Sequence, residues 1–407
     1  MGKKLDIAII GGGASGMMAA ITAASFGAKV TLYEQKKRVG QKILSTGNGK
    51  CNFSNRTMSV SEYYTPCPER VQAVLERFSV DETVDFFAGL GVMARSKNGY
   101  LYPYSEQSQT IHDALRLRLA ECGVEVLCNQ EIKAVNQGKG GGFSVADKTF
   151  DRLIIACGSL AGQRNGMGES GYRLAEKLGH KSTRLVPGLC HLPCRDEHLI
   201  GLAGVRCQAT VSLYVEGAAE PVQTETGELQ FTQNALSGIP VFQLSRTAGY
   251  LLAKKKEVAL EVNFFPNAAP EKFEKKMRGR LARFSERTLG DFLLGMTNKK
   301  INQSIIRKNG LHNDDKVADI DKEKMWALLM EYQGLRFQVA KAESLVNAQV
   351  CAGGVALSGL SDDLESLAVP GLYFAGEILD VDGRCGGYNL QWAWSSGHVA
   401  GKSAAQG

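Results

Sequence analysis

The run Leu5-Asp6-Ile7-Ala8-Ile9-Ile10 leads straight into Gly11-Gly12-Gly13-Ala14-Ser15-Gly16. A near-continuous apolar run of this length reads as a parallel strand buried on both faces. The glycines stop it at once. Met17 to Phe26 is helix-forming and closes at Gly27, and Ala28 to Tyr33 is a second strand ending at Glu34. The spacing G-x-G-x-x-G thus falls on Gly11, Gly13 and Gly16, with an acid 18 residues after the last glycine. Strand, glycine turn, helix and strand-end acid in this order form the dinucleotide-binding fingerprint. Gly11 permits the tight turn, Gly13 lets backbone approach a pyrophosphate, and Gly16 lets helix and strand pack closely. The helix start favours phosphate charge, and Glu34 is placed to accept hydrogen bonds from a ribose diol.

This fingerprint serves FAD and NAD alike. Three further segments favour FAD. Gly40 to Asn52 is a glycine-rich, basic, polar loop where a longer cofactor would continue. Leu153 to Gly158 is a buried strand ending in a small residue and glycine, and Gly371 to Glu377 is a short strand ending in small residue, glycine and acid. Gly166-Met167-Gly168-Glu169-Ser170-Gly171 mimics the fingerprint, but a polar loop separates it from the strand before it. No separate NAD(P)H domain is therefore expected, and NADH or NADPH would dock transiently as hydride donor.

The stretches Gly40 to Asn55, Gly227 to Arg246 and Gly371 to Gly397 resemble the BaiN/YhiN-like family of FAD-dependent oxidoreductases, which also contains proteins called aminoacetone oxidases. The resemblance spans nearly the whole chain. It implies an α/β fold in which both chain ends form a Rossmann-type FAD-binding domain (1–188 and 336–407). An inserted β-rich domain (189–268) and a small basic helical domain (269–335) complete it. The residue pattern agrees: Val205 to Val215 and Val258 to Phe264 alternate like strands, while Glu271 to Arg287 and Met325 to Tyr332 read as helices. The FAD-binding set implied is Gly11, Gly13, Ala14, Ser15, Gly16, Glu34, Gln35, Lys42, Thr46, Gly47, Asn48, Cys51, Asn52, Ile132, Ala156, Gly158, Gly376, Glu377, Gly387, Tyr388, Asn389 and Leu390. The chain departs from the family at Gly168-Glu169-Ser170-Gly171-Tyr172, where Thr-Gly-Asp-Gly-Tyr is usual.

Composition narrows the setting. With 407 residues, 44% hydrophobic and 22% charged, the chain suits two or three globular domains and excludes wholesale disorder. No uninterrupted run of about 18 apolar residues is present, so no membrane span is expected. Lys3-Lys4 before an apolar stretch imitates a secretory leader, but the glycines break it, and a cytoplasmic protein is expected. The ten scattered cysteines read as reduced thiols. Cys190 and Cys194, with His191 and His198, match no common zinc spacing, so no metal is expected.

Reducing a C=C bond needs hydride at one carbon and a proton at the other. Cys51, Cys385 and Tyr388 are the acids nearest in sequence to the expected flavin loops. Cys51 is taken as the catalytic candidate, its pKa expected to be depressed by Lys50. The alternative is a small buried residue packed beside the flavin. Gly386-Gly387-Tyr388-Asn389 opens a helix whose N–H groups would face the flavin pyrimidine edge.

From Lys254 to Lys308, fourteen basic residues stand against six acidic ones, a net +8, whereas the remainder carries −2 of the overall +6. Concentrated basic charge is the footprint of a phosphate-rich partner, and a solvated helix face is the plainer reading. Lys275, Lys276, Arg280 and Arg283 are the expected substrate-binding residues. The resemblance implies reduction of a C=C bond conjugated to a carbonyl, and the +8 segment makes uridine in ribosomal RNA the favoured substrate. The alternatives are reduction of unsaturated 3-oxo bile acids or steroids, oxidation of a small amine, and a non-catalytic flavin-containing RNA-binding factor. The protein should purify yellow and release FAD on acid treatment; colourless protein that FAD cannot reconstitute would contradict the cofactor reading.

Overall fold

The computed structural model describes residues 4–138, 141–163 and 169–406. The chain divides into two compact units, one formed by Met1–Leu185 with Val350–Gly407 and the other by Val186–Gln349. Part of the second glycine motif, residues 166–168, lies outside the described residues, as does Lys3.

The first unit is built on a five-stranded parallel sheet. Its order is Leu372–Phe374, Arg152–Ile155, Asp6–Ile10, Lys29–Tyr33 and Glu125–Leu127. The strand that precedes the glycines is therefore central, with Ile10 level with Tyr33 on one side and Ile155 on the other. Its last four residues are buried, as a strand covered on both faces requires. The helix Ala14–Ser25 follows, and the helix Tyr388–Gln406 packs along it.

That packing depends on missing side chains. A Cβ on Gly397 would sit 2.5 Å from the Ser15 carbonyl oxygen, and one on Gly401 2.5 Å from that of Ala19. Only glycine lets the two backbones come this close. The same helix ties down the rest of the unit. The buried Gln391 amide accepts from Ser54 Oγ at 2.6 Å and donates to Thr83 Oγ1 at 2.8 Å. The Trp394 indole N–H donates to the Phe53 carbonyl at 2.9 Å.

The second unit is an antiparallel six-stranded sheet. Its order is Leu192–Pro193, Ala235–Gly238, Gln223–Phe231, Arg206–Val215, Val258–Asn263 and Leu335–Gln338. The helices Ile239–Ala253, Pro270–Phe284, Lys299–Lys308 and Lys322–Gly334 belong to this unit. Val211, Leu260 and Phe337 of the sheet share one buried core with Phe273, Ile305 and Leu328 of the helices. The β-rich and helical stretches therefore bury their apolar faces together. No described helix is long and apolar enough to cross a membrane.

Gly397→Ala should cost about 1–3 kcal/mol, because backbone must move to admit the methyl group. Gly279→Ala is the contrast. It lies within the exposed helix Pro270–Phe284, where an added Cβ meets nothing within 4 Å. That change should stabilise by about 0.5–1 kcal/mol. Thermal unfolding of both variants measures the difference.

Candidate functional site

The glycine turn has the geometry its sequence implies. Gly11 is left-handed (φ +106), and a Cβ there would meet the Ala156 carbonyl oxygen at 2.4 Å. A Cβ on Gly16 would lie 1.8 Å from the Gly11 carbonyl oxygen, so helix and turn touch through backbone. Gly13 differs from both: no atom lies within 4 Å of where its Cβ would be. It is the N-cap of the helix Ala14–Ser25, extended and without a side-chain cap. The first helical N–H groups of Ala14 and Ser15 thus open onto space, the arrangement that holds a phosphate. Glu34 is buried at the end of the second strand. One of its carboxylate oxygens accepts from Gly12 N and the other from Lys36 N, each at 2.8 Å. Each oxygen keeps a lone pair for a further donor. Gln35 is half-buried beside it, and Ile132 is buried in the core of the unit.

The other predicted segments converge here. Gly376 is left-handed, and a Cβ on it would lie 2.2 Å from Ser15 Oγ. Lys42 Nζ pairs with Glu377 Oε2 at 2.5 Å, and Ser159 Oγ donates to the same oxygen at 3.4 Å. The loops at 42, 159 and 377 therefore meet beside the start of the first helix. Gly158, left-handed, has open space where a Cβ would be. The Thr46–Cys51 loop turns through left-handed Gly47, Asn48, Gly49 and Cys51. Thr46 caps it by accepting from Cys51 N at 3.1 Å.

Further along, a Cβ on Gly387 would lie 2.5 Å from the Ser54 carbonyl oxygen and 3.0 Å from Asn52 Oδ1. Asn52 Oδ1 is buried with no hydrogen-bond partner among the described residues. An orphaned acceptor costs about 1–3 kcal/mol unless something donates to it. The open helix start, the glycine-lined backbone and this orphan together fit a dinucleotide carrying a hydrogen-bonding ring. Tyr388 is buried, its hydroxyl 3.5 Å from Thr57 Oγ1 and its carbonyl accepting from Tyr63. The Asn389 amide is occupied by Gly383, accepting from its N–H and donating to its carbonyl, both at 2.8 Å. Asn389 thus holds the preceding turn. Leu390 is half-buried.

Two expectations are corrected. Lys50 does not depress the Cys51 thiol. Its ammonium pairs with Glu106 at 2.8 Å, while burial pushes the thiol up to about 12, only partly offset by a hydrogen bond with Thr46. Arg280 is not a free phosphate ligand. Its guanidinium donates to the carbonyls of Phe292 and Leu294, the latter at 2.9 Å, tying down the turn after the short helix Leu289–Phe292. Lys275, Lys276 and Arg283 are exposed as expected. Burial raises the Cys385 thiol too, against the opposing pull of Arg384. Cys190, Cys194, His191 and His198 do not gather; His191 pairs with Glu343 at 2.5 Å, and His198 meets the Arg336 carbonyl at 3.1 Å. No metal-holding group occurs among the described residues.

Two residues were missed. Tyr100 and Tyr102 stand half-buried on one face of the strand Tyr100–Pro103. A Cβ on Gly386 would lie 2.8 Å from the Tyr100 ring, and one on Gly47 4.0 Å from the Tyr102 ring. Burial raises both phenols, and the neighbouring Cys385 adds to the rise. The signal was present: Asn98-Gly99 is a strong hairpin turn, and alternation beyond it puts both tyrosines on one face.

The HI0933-like protein Rossmann domain matches residues 5–403. A 3-dehydro-bile acid delta(4,6)-reductase of Clostridium scindens is 38% identical over 98% of this chain and 99% of its own. A ribosomal RNA dihydrouridine synthase of Escherichia coli is 30% identical over 97% of this chain and 96% of its own. Its Haemophilus influenzae counterpart is 28% identical over the full length of both. Among solved structures, 3-ketosteroid delta1-dehydrogenase from Sterolibacterium denitrificans superposes with a TM-score of 0.51 at 13% identity, covering all of both chains, which shows a shared fold.

Gly13→Ala separates folding from binding. With open space around the new methyl, unfolding of the FAD-free protein should shift by less than about 0.5 kcal/mol. FAD affinity should fall at least about tenfold, because the second glycine of the fingerprint is where backbone must approach a pyrophosphate. Titration of stripped protein with FAD, beside a melting curve, checks both.

Proposed function

The chain belongs to the HI0933-like family of FAD-binding Rossmann oxidoreductases, and from this we propose that it reduces a C=C bond conjugated to a carbonyl in a small unsaturated 3-oxo compound of the steroid or bile-acid kind, with NADH or NADPH as hydride source. The observation that carries the substrate reading is the full-length likeness to the bile-acid reductase, 38% against 28–30% for the RNA-modifying relatives. The internal use of Arg280 points the same way, since it removes one cation from the set that would grip RNA. The order of preference between two substrates that share one reaction is thus the reverse of the order drawn from charge.

When bound, FAD supplies hydride transfer from the nicotinamide to the far carbon of the conjugated alkene. The chain's own residues would place it. The uncapped helix start at Gly13 would hold the pyrophosphate, and Glu34 would hold the adenosine ribose. Lys42, paired with Glu377, fixes the approach of the Gly40 loop. Gly386 and Gly387 would let backbone approach the ring, and Asn52 Oδ1 would accept a hydrogen bond from it. Cys51 is fully buried, and burial keeps it a thiol.

A second reading, reduction of uridine in ribosomal RNA, is favoured by the exposed Lys275, Lys276 and Arg283 with Lys254, Lys255 and Lys256. Phosphate contacts make RNA binding fall steeply with salt.

Anaerobically reduced protein, followed by its flavin spectrum, distinguishes these readings. An unsaturated 3-oxo steroid should reoxidise it rapidly, and raising salt from 50 to 200 mM should change the rate by less than about twofold. Reoxidation by ribosomal RNA alone, lost with salt, would establish the second reading instead. Flavin reduction by a small amine with peroxide release would overturn both.

A further inference from the structure

Tyr100 and Tyr102 are held in place by more than burial. The hairpin pairs Lys97 with Tyr100 and Arg95 with Tyr102 through the Asn98-Gly99 turn, both residues left-handed at φ 52 and 86. On the other side, Ser54 pairs with Leu101, and Phe53 N donates to the Leu101 carbonyl at 2.9 Å. The strand is fixed from both flanks, and alternation then turns the two phenol rings to one side while Leu101 and Pro103 are buried on the other. The side they share carries Gly47 and Gly386, two glycines of the loops that fit the cofactor.

The charged groups near them are already engaged. Lys50 is paired with Glu106, and Arg384 with Glu62. Neither the Tyr100 nor the Tyr102 hydroxyl has a hydrogen-bond partner among the described residues. Two half-exposed phenols with unspent O–H groups stand where polar groups otherwise pair off. A bulky ring held this way needs no hydroxyl for packing, and phenylalanine would fill the space equally well.

We propose that Tyr102 delivers the proton that completes reduction of the conjugated C=C bond, and that Tyr100 hydrogen-bonds the substrate's carbonyl oxygen. This rests on the reductase reading above. As hydride forms a C–H bond at the far carbon, the π pair moves to the carbon beside the carbonyl. The Tyr102 O–H bond breaks as its proton bonds to that carbon, and the phenolate regains a proton from water. Tyr102 is assigned this step because its ring stands by Gly47 of the Thr46–Cys51 loop, whereas the Tyr100 ring is held against Gly386. Burial keeps both phenols protonated beforehand, as an acid must be.

The test compares the holoprotein with Tyr102→Phe and Tyr100→Phe, reduced anaerobically and mixed with an unsaturated 3-oxo steroid. Tyr102→Phe should slow reoxidation on the order of a hundredfold. Its flavin content should match the wild type, and so should its reoxidation by ferricyanide, which needs no proton from the protein. Tyr100→Phe should weaken binding of the saturated 3-oxo product to the oxidised protein by roughly three- to tenfold, the loss of one neutral hydrogen bond. Tyr102→Phe reacting with the steroid at the wild-type rate overturns this assignment and leaves the reductase reading standing. Equal slowing with ferricyanide overturns it as well, because the defect then lies in the flavin site. A wild-type protein inert to unsaturated ketones overturns the reductase reading and the assignment together.

Discussion

Two helices from opposite ends of the chain meet backbone to backbone, and the first unit depends on that contact. Gly397 and Gly401 lie one turn apart on the helix Tyr388–Gln406, each against a carbonyl of the helix Ala14–Ser25. Any side chain there would push the helices apart by the depth of a methyl group. Gly376 makes the same kind of approach to Ser15. The uncapped start of the first helix is therefore set by residues some 360 positions later in the chain.

The C-terminal helix turns that contact into a framework. Trp392 donates to the Gly376 carbonyl, Trp394 to the Phe53 carbonyl, and Gln391 joins Ser54 to Thr83. Each is a buried polar group with its partner present. Such bonds contribute about 1 kcal/mol apiece when made and cost more when one partner is lost. Their larger effect is geometric. They fix the segments 52–55, 376–378 and 386–391 against one another, and these carry the orphaned Asn52 oxygen and the glycine-lined backbone. Rigid support of this kind lets a protein hold a planar cofactor without many direct side-chain bonds.

The first ninety residues were legible because their signals are local. An apolar run, glycines at fixed offsets and an acid at a strand end act within one strand–helix–strand unit. Gly11 and Gly16 are needed for the close approaches that sequence assigns them, and Gly13 for the space it leaves open. The C-terminal segment was legible only through family resemblance, since nothing local says that Gly397 faces Ser15. The misread residues share another cause. Lys50, next to Cys51 in sequence, is turned to Glu106, 56 positions away. Arg280 is absorbed by carbonyls of a neighbouring turn, although it carries the same formal charge as the exposed Lys275. Charge counts along a chain do not reveal which cations are already paired. The Tyr100–Tyr102 pair went unseen for a different reason: its hairpin signal is clear, but its proximity to Gly47 and Gly386 is tertiary.

The central claim is that segments from both ends of the chain close on one cofactor. Amide hydrogen exchange, measured on the full-length protein with FAD bound and after FAD is stripped, tests it most directly. Residues 11–16, 42–52, 375–378 and 386–391 should gain protection together when FAD binds. Protection confined to the N-terminal segment, with the C-terminal segments exchanging at the same rate in both states, would contradict it.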